Sequence, residues 1–212
     1  VPGSLGLTIS LDLTITSARE EPLMSSLLLV DYLQRCRAQY SLSNVPPAYT
    51  ADECSRLNRI PPRRFAKVVM VRLDTELAMV VMPANYRLVP KRLAEELQVE
   101  RVQLAAERQF RNRFPRCELG AIPPIGHLFG LRAFCVAGFD EFSDIFCKAG
   151  SHSELLRMPF RELQRFAHWD PVGSVAELQL RHLGASHLQR LLKLAKSGGA
   201  RARQPLALPL TS

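Results

Sequence analysis

Lys67 opens an apolar run, Lys67-Val-Val-Met-Val-Arg-Leu73. Read as a strand, the run puts Lys67 on one face with Val69, Val71 and Leu73. An ammonium beside buried side chains is costly unless it meets a partner or an anionic ligand. The bland alternative is a strand-end lysine whose head reaches water. A second candidate is the loop Gly120-Ala-Ile-Pro-Pro-Ile-Gly126. Its first glycine permits a positive φ or close backbone approach, and two prolines stiffen the rest of the loop. Such a loop can aim N–H and C=O groups at a substrate, or it can be a plain tight turn. A third is His152, directly after Gly150-Ser151, which reads as a pocket residue or as a surface histidine. His127 is a weaker candidate, and His168, His182 and His187 are set aside. No Gly-x-Ser-x-Gly elbow and no Cys/His/Asn arrangement is present, so the chemistry open to these residues is positioning and electrostatic stabilisation.

The elements that hold these residues belong to a chain of 212 residues, 47% hydrophobic and 23% charged. That length buries a sizeable core without disulfides or a structural metal. No apolar run approaches the roughly 20 residues needed to span a bilayer. Residues 1–18 carry no basic residue and include Asp12, which argues against a signal peptide. The five cysteines (Cys36, Cys54, Cys117, Cys135, Cys147) are odd in number and lack any Cys-x-x-Cys or Cys/His pattern. They read as free thiols of a reducing cytoplasm, with no zinc or other metal site.

Twenty-eight basic and 20 acidic residues give a net charge of +8. Residues 1–23 contribute −2 (one basic, three acidic), residues 24–168 contribute +6 (21 and 15), and residues 169–212 contribute +4 (six and two). The excess sits on the folded domain and its tail and points to an anionic partner such as nucleic acid. Arg63 and Arg64 precede Lys67, and Arg108 and Arg111 lie three apart on a predicted helix face. Phosphate contacts from such side chains position a nucleic acid without reading its sequence.

Apolar spacing predicts helices over Leu27–Ala38, Ala51–Arg59, Pro90–Leu97, Ala105–Arg113, Pro159–His168 and Val175–Ala195. Thr50 with Glu53 three residues on forms a capping-box signature for the second. Strands are predicted at Gln39–Val45, Lys67–Leu73, Leu77–Met82, Arg101–Leu104, Leu131–Val136, Ile145–Lys148 and Ser153–Met158. The second and third form a hairpin through Asp74-Thr75-Glu76. Their continuous apolarity implies burial on both faces. Residues 1–23 read as a leader outside the fold, residues 24–168 as one domain, and residues 169–212 as a basic helical tail with a disordered end.

Three segments in this order resemble the YbaK family, which includes the editing domain of bacterial prolyl-tRNA synthetases and its free-standing relatives. They are Phe65-Ala-Lys-Val-Val-Met-Val71, Cys117-Glu-Leu-Gly-Ala-Ile-Pro-Pro-Ile-Gly126 and Ala149-Gly-Ser-His-Ser-Glu-Leu-Leu-Arg-Met158. The second contains the family's Gly-x-x-x-Pro loop as Gly120 and Pro124. Leu104-Ala-Ala-Glu107 and Met82-Pro-Ala84 match the family's texture. The resemblance covers about residues 27–168. Two positions depart from it. Val45 stands where relatives often have a histidine, and Val68 stands where the residue after the lysine is often polar.

The resemblance implies a mixed α/β (α+β) fold with a barrel-like, mostly antiparallel central sheet and helices outside. It implies a deacylase that hydrolyses mischarged aminoacyl-tRNA, tRNA for proline carrying alanine or cysteine foremost, in the cytoplasm and without a cofactor. Lys67, Gly120 and Ala121 are then catalytic. Pro124, Gly126, Gly150, Ser151 and His152 bind substrate, while Arg63, Arg64, Arg108 and Arg111 hold tRNA. The partners implied are aminoacyl-tRNA and prolyl-tRNA synthetase, with no membrane and no DNA. The rival readings are a non-catalytic tRNA- or partner-binding module of the same fold and a hydrolase of another small acyl ester.

Overall fold

The computed structural model describes residues 27–179. In chain order the elements are α1 (Leu27–Arg35), β1 (Ser41–Asn44), α2 (Ala51–Leu57), β2 (Phe65–Leu73), β3 (Glu76–Pro83), β4 (Tyr86–Leu88), α3 (Pro90–Leu97) and β5 (Val102–Leu104). There follow α4 (Glu107–Phe110), β6 (Arg132–Val136), β7 (Asp144–Lys148), β8 (Glu154–Pro159), α5 (Phe160–Ala167), β9 (Asp170–Val172) and β10 (Ala176–Leu178). The main sheet runs β1-β8-β7-β2-β3-β6-β9, with β5 paired to β2. Four of its seven pairings are antiparallel, while β2/β7, β3/β6 and β6/β9 are parallel. The fold is thus mixed α+β with a mostly antiparallel sheet, as expected. The path ends at β1 and β9 without joining them, so the sheet is barrel-like in being covered, not in being closed.

Alternation along β2 and β3 divides the core. Ala66, Met70, Met79 and Val81 face Leu29 and Leu33 of α1 and Leu163 and Phe166 of α5. Val71, Ala78, Val80 and Met82 face Leu93 of α3. Phe65 and Leu155 pack with Ala48, Cys54, Ile60 and Ala84 beside α2. A sheet covered on both sides has no polar face to display, which is why its strands read as unbroken apolar runs. Each fully buried leucine of this kind stabilises the fold by about 1.5–3 kcal/mol.

Helix α2 starts where predicted: the Thr50 hydroxyl accepts from the Glu53 N–H at 3.1 Å. The Glu53 carboxylate reaches back to the Tyr49 N–H at 3.0 Å, one residue earlier than an ordinary capping box. The β2–β3 hairpin turns at Asp74, whose φ is +49°. Its register pairs Lys67 with Met82 and Leu73 with Glu76.

Two helices were overread. The expected helix Ala105–Arg113 is α4 followed by a 3₁₀ turn at Arg111–Arg113. Phe110, at φ −127° and ψ −15°, leaves the α region and ends the ladder. Phe110 and Phe114 nonetheless pack edge to face, 6.1 Å between centroids. The expected helix Val175–Ala195 does not begin there: Ala176–Leu178 forms β10, antiparallel to β4. Val89 and Gln179 fasten the pairing by donating to Val175 O at 2.8 Å and Asn85 O at 2.7 Å. Strands β4 and β9 were not anticipated. The rest of that helix, the leader and the chain end lie outside the described residues.

Candidate active site

Strand β2 holds Lys67 half-buried, with Nζ donating to Ala84 O at 2.8 Å. That carbonyl is fixed in its turn, because the Ala84 N–H donates to both Phe65 O (2.9 Å) and Pro62 O (3.1 Å). Burial pulls the Lys67 ammonium below the usual lysine range, and the Asp52 carboxylate partly restores it. One strand away, β7 runs parallel to β2 with Ala66 opposite Cys147. The next residue on each strand is a lysine, Lys67 and Lys148.

The second and third motifs are laced together through the backbone. Glu118 donates to Gly150 O at 2.8 Å, Gly150 donates to Ala121 O at 2.9 Å, and Ala121 closes the turn onto Glu118 O at 2.9 Å. Gly120 and Gly150 carry φ of +82° and +116°, backbone that L side chains rarely adopt. A Cβ on Gly120 would meet only ordinary contacts, Tyr49 O at 3.6 Å and His152 Cε1 at 3.7 Å. The glycine is required by its dihedral angle, not by crowding.

His152 is the centre of this cluster. Its backbone N–H donates to the Glu118 carboxylate. Its ring lies against Tyr49, with centroids 4.7 Å apart. Nδ1 lies 2.9 Å from Lys148 Nζ and 3.1 Å from Ala48 O. The segment from Val45 is drawn in by two further bonds, Val45 to Ser153 O (2.8 Å) and Ala48 to His152 O (3.2 Å). Lys148 itself is only 4% exposed, and its Nζ also donates to Ala48 O. Burial lowers its pKa, opposed by Cys54, Glu118 and Glu53. Ser151 is buried, and its hydroxyl donates to the Glu154 carboxylate at 3.1 Å.

Gly120, Ala121, Gly150, Ser151 and His152 are therefore brought together, with Lys67 on the strand beside Lys148. Pro124 and Gly126 make other contacts. The Pro124 carbonyl accepts from Trp169 Nε1 at 2.7 Å. Gly126 abuts β6, where an added Cβ would lie 2.8 Å from Leu131 O and 2.9 Å from Ala133 Cβ. Sequence reasoning passed over Lys148, Glu118 and Tyr49. The available signal was that Lys148, like Lys67, is the one lysine of a largely apolar strand.

One cavity borders the cluster through Gly120, and a second lies among arginines beside β7 and β8. The first, about 290 Å³, includes Val68, Met70, Ala105, Phe110, Gly120 and Ile122 in its lining. The second, about 330 Å³, is ringed by Arg59, Arg64 and Arg157 around Phe146. The Arg64 and Arg157 guanidiniums stand 5.8 and 5.7 Å from the Phe146 centroid. Arg64 Nε donates to Asp144 O (3.0 Å), and Arg157 Nε to Asp144 Oδ2 (2.7 Å). Arg63 diverges from Arg64, its Nε donating to Gly138 O at 2.9 Å. Arg108 and Arg111 are exposed. Among the described residues no group of His, Cys, Asp and Glu side chains is arranged to hold a metal ion, and no helix is long and apolar enough to cross a membrane.

The aminoacyl-tRNA editing domain family matches residues 45–166, more than half of the chain. The protein belongs to that family. No curated protein matches it. Among solved structures, a computationally designed epitope scaffold superposes with a TM-score of 0.63 at 15% identity, over 71% of this chain and 96% of the other. A candidate trans-editing enzyme for prolyl tRNA synthetase gives 0.62 at 16% identity, over 71% and 96%. The hypothetical protein APE2540 gives 0.60 at 18% identity, over 71% and 99%. At these identities the likeness is one of fold.

Proposed function

We propose that the protein is a trans-editing deacylase that hydrolyses the ester between a small non-cognate amino acid, alanine or cysteine, and the 3′-adenosine of tRNA for proline. The observation that carries this reading is the lacing of the Gly120 loop to the Gly150–His152 turn at the edge of a largely apolar cavity, with Lys67 on the strand next to Lys148. In this scheme water adds to the ester carbonyl, and negative charge gathers on the carbonyl oxygen. The bond to the ribose oxygen then breaks, and that oxygen takes up a proton. An aminoacyl ester is already activated, so stabilising the developing oxyanion is the main task left to the protein. Lys67 supplies a positive charge for it.

Ala121 is cast as catalytic by the family resemblance, yet its N–H is spent on Glu118 O. The Gly120 N–H has no hydrogen-bond partner among the described residues and is the better donor. The cavity beside Gly120, about 290 Å³, admits a small side chain, and discrimination against proline is assigned to the editing reaction as a whole. Editing of this kind serves a synthetase whose pocket gains only about 1–3 kcal/mol of discrimination per methylene. The arginines around Phe146, with Arg63, Arg108 and Arg111, are suited to phosphates of the acceptor end. We place the reaction in the cytoplasm, on aminoacyl-tRNA released by prolyl-tRNA synthetase.

The test is a panel of alanyl-, cysteinyl- and prolyl-tRNA for proline offered to purified protein, with free amino acid measured. Faster release of alanine or cysteine than of proline is expected. Binding to the panel without release from any member would favour the non-catalytic module, the reading to which Val45 in place of a histidine lends some weight.

A further inference from the structure

Lys148 ends β7 among buried residues, yet among the described residues its ammonium meets no carboxylate at hydrogen-bonding distance; its partners are Ala48 O and His152 Nδ1, the latter at 2.9 Å. An ammonium carries donors only. While Lys148 is an ammonium, Nδ1 at 2.9 Å from it presents its lone pair, and the ring proton of a neutral His152 then resides on Nε2. Ala48 O, 3.1 Å from Nδ1, is already served by Lys148 and has no need of an imidazole proton. Tyr49 lies against the ring, and the bond from the His152 backbone N–H to Glu118 fixes the main chain that carries it. The ring edge carrying Cε1, the carbon between the two ring nitrogens, faces Gly120.

We propose that Lys148 is a positioning residue that locks His152 in the Nε2–H tautomer, so that the imidazole acts beside the Gly120 loop as a hydrogen-bond donor and not as a base. This role in turnover rests on the deacylase reading; the tautomer does not. The acceptor proposed for this donor is a substrate oxygen, of the ester or the terminal ribose, held at the Gly120 loop. A histidine fixed in this way keeps one hydrogen-bonding character throughout the reaction, and the activating proton transfers fall to water and substrate.

The experiment is long-range ¹H–¹⁵N spectroscopy of the histidine-labelled full chain, with His152 identified by the signal lost in His152→Gln. Ring-nitrogen shifts separate a protonated from an unprotonated nitrogen. The expected result is an unprotonated Nδ1 and a protonated Nε2 in the wild type. In Lys148→Met the Nδ1 proton should appear, now donated to Ala48 O, and turnover should fall by roughly 10²-fold, the scale of a misplaced catalytic group. Lys148→Arg, which keeps donors and charge, should restore the tautomer. A wild-type His152 protonated on Nδ1 overturns the proposal, as does a folded Lys148→Met with unchanged tautomer and turnover. If Lys148→Met does not fold, the wild-type spectrum alone decides. Wild-type protein that releases no amino acid from any mischarged tRNA sinks the deacylase reading and leaves the tautomer result standing.

Discussion

Gly150 donates its backbone N–H to the carbonyl of Ala121 at 2.9 Å, joining two segments about thirty positions apart in the sequence. The bond holds Gly120 in its left-handed conformation against His152. Replacing Gly120 by alanine therefore tests dihedral strain in a place where there is room for a methyl group. Gly120→Ala should destabilise the fold by about 1–2 kcal/mol and lower the melting temperature by roughly 2–8 °C. Turnover should fall more than this stability loss accounts for. Calorimetry and single-turnover release of amino acid check the two halves, and an unchanged melting temperature would refute the strain.

Lys67→Ala should leave the domain folded while deacylation drops by roughly 10²–10³, the scale of losing one electrostatic stabiliser. Circular dichroism and the rate of amino-acid release measure the two quantities. A folded variant turning over at the wild-type rate would remove Lys67 from the mechanism.

The same lysine sets a pH dependence with opposite signs for activity and stability. Lys67 and Lys148 both titrate below the ordinary lysine range because they are buried. As pH rises through their lowered pKa values, the positive charge is lost and enzymatic turnover should decline, after subtraction of hydroxide-driven ester hydrolysis. In the window between those values and the ordinary lysine pKa of 10.5, the unfolded chain binds more protons than the folded one. These two groups therefore make stability rise with pH there. Urea titrations across the window, repeated on Lys67→Met, should show a smaller rise in the variant. An equal or larger rise would contradict the assignment to Lys67.

The thiols are expected to be chemically idle. Burial pushes Cys117 up to about 11 and raises Cys147 still further, so neither is a thiolate at neutral pH. Cys117→Ser with Cys147→Ser should keep the rate within a few-fold of wild type. A hydroxyl replacing the buried Cys147 thiol costs about 1–3 kcal/mol of stability, so the assay belongs well below the melting temperature. Loss of activity in a folded double variant would point to a covalent route.

Binding of tRNA should weaken steeply with salt, by a log–log slope of about −0.7 per phosphate contact in single-stranded regions. Arg63→Glu with Arg64→Glu should raise the Michaelis constant and flatten that slope, with less effect on turnover. Arg64 also braces β7 through Asp144 O and Phe146, so the single Arg63→Glu variant separates lost binding from lost stability. A salt-independent affinity would mean that the basic surface is merely hydrated.

The β2–β3 hairpin and α2 were legible because their signals are local: an apolar run either side of Asp74, and Thr50 three residues before Glu53. The Ala105–Arg113 helix was overread for the same reason. Phe110 and Phe114 keep helical spacing and share a face although the backbone between them tightens. The β10 strand was illegible because its partner, Tyr86–Leu88, lies some ninety residues earlier. Within the site, the motif residues Gly120 and His152 could be picked out one by one. The meeting of His152 with Lys148 depends on β7 and the turn after it, and the place of Lys148 beside Lys67 depends on sheet register. Neither relationship is written in any short stretch of chain.

The chain contains a single tryptophan, Trp169, and its indole N–H is bonded to Pro124 O, four residues beyond Gly120. The ring is 8% exposed and stands 6.1 Å from Phe160. The protein thus carries one native indole fluorophore, bonded to the loop that borders its cavity. Any event that pulls Pro124 away from the indole, whether substrate entry or local unfolding, changes the hydrogen bonding of the only emitter excited at the red edge. Loop movement and global unfolding can then be followed optically in the unlabelled protein, without placing a dye near the site.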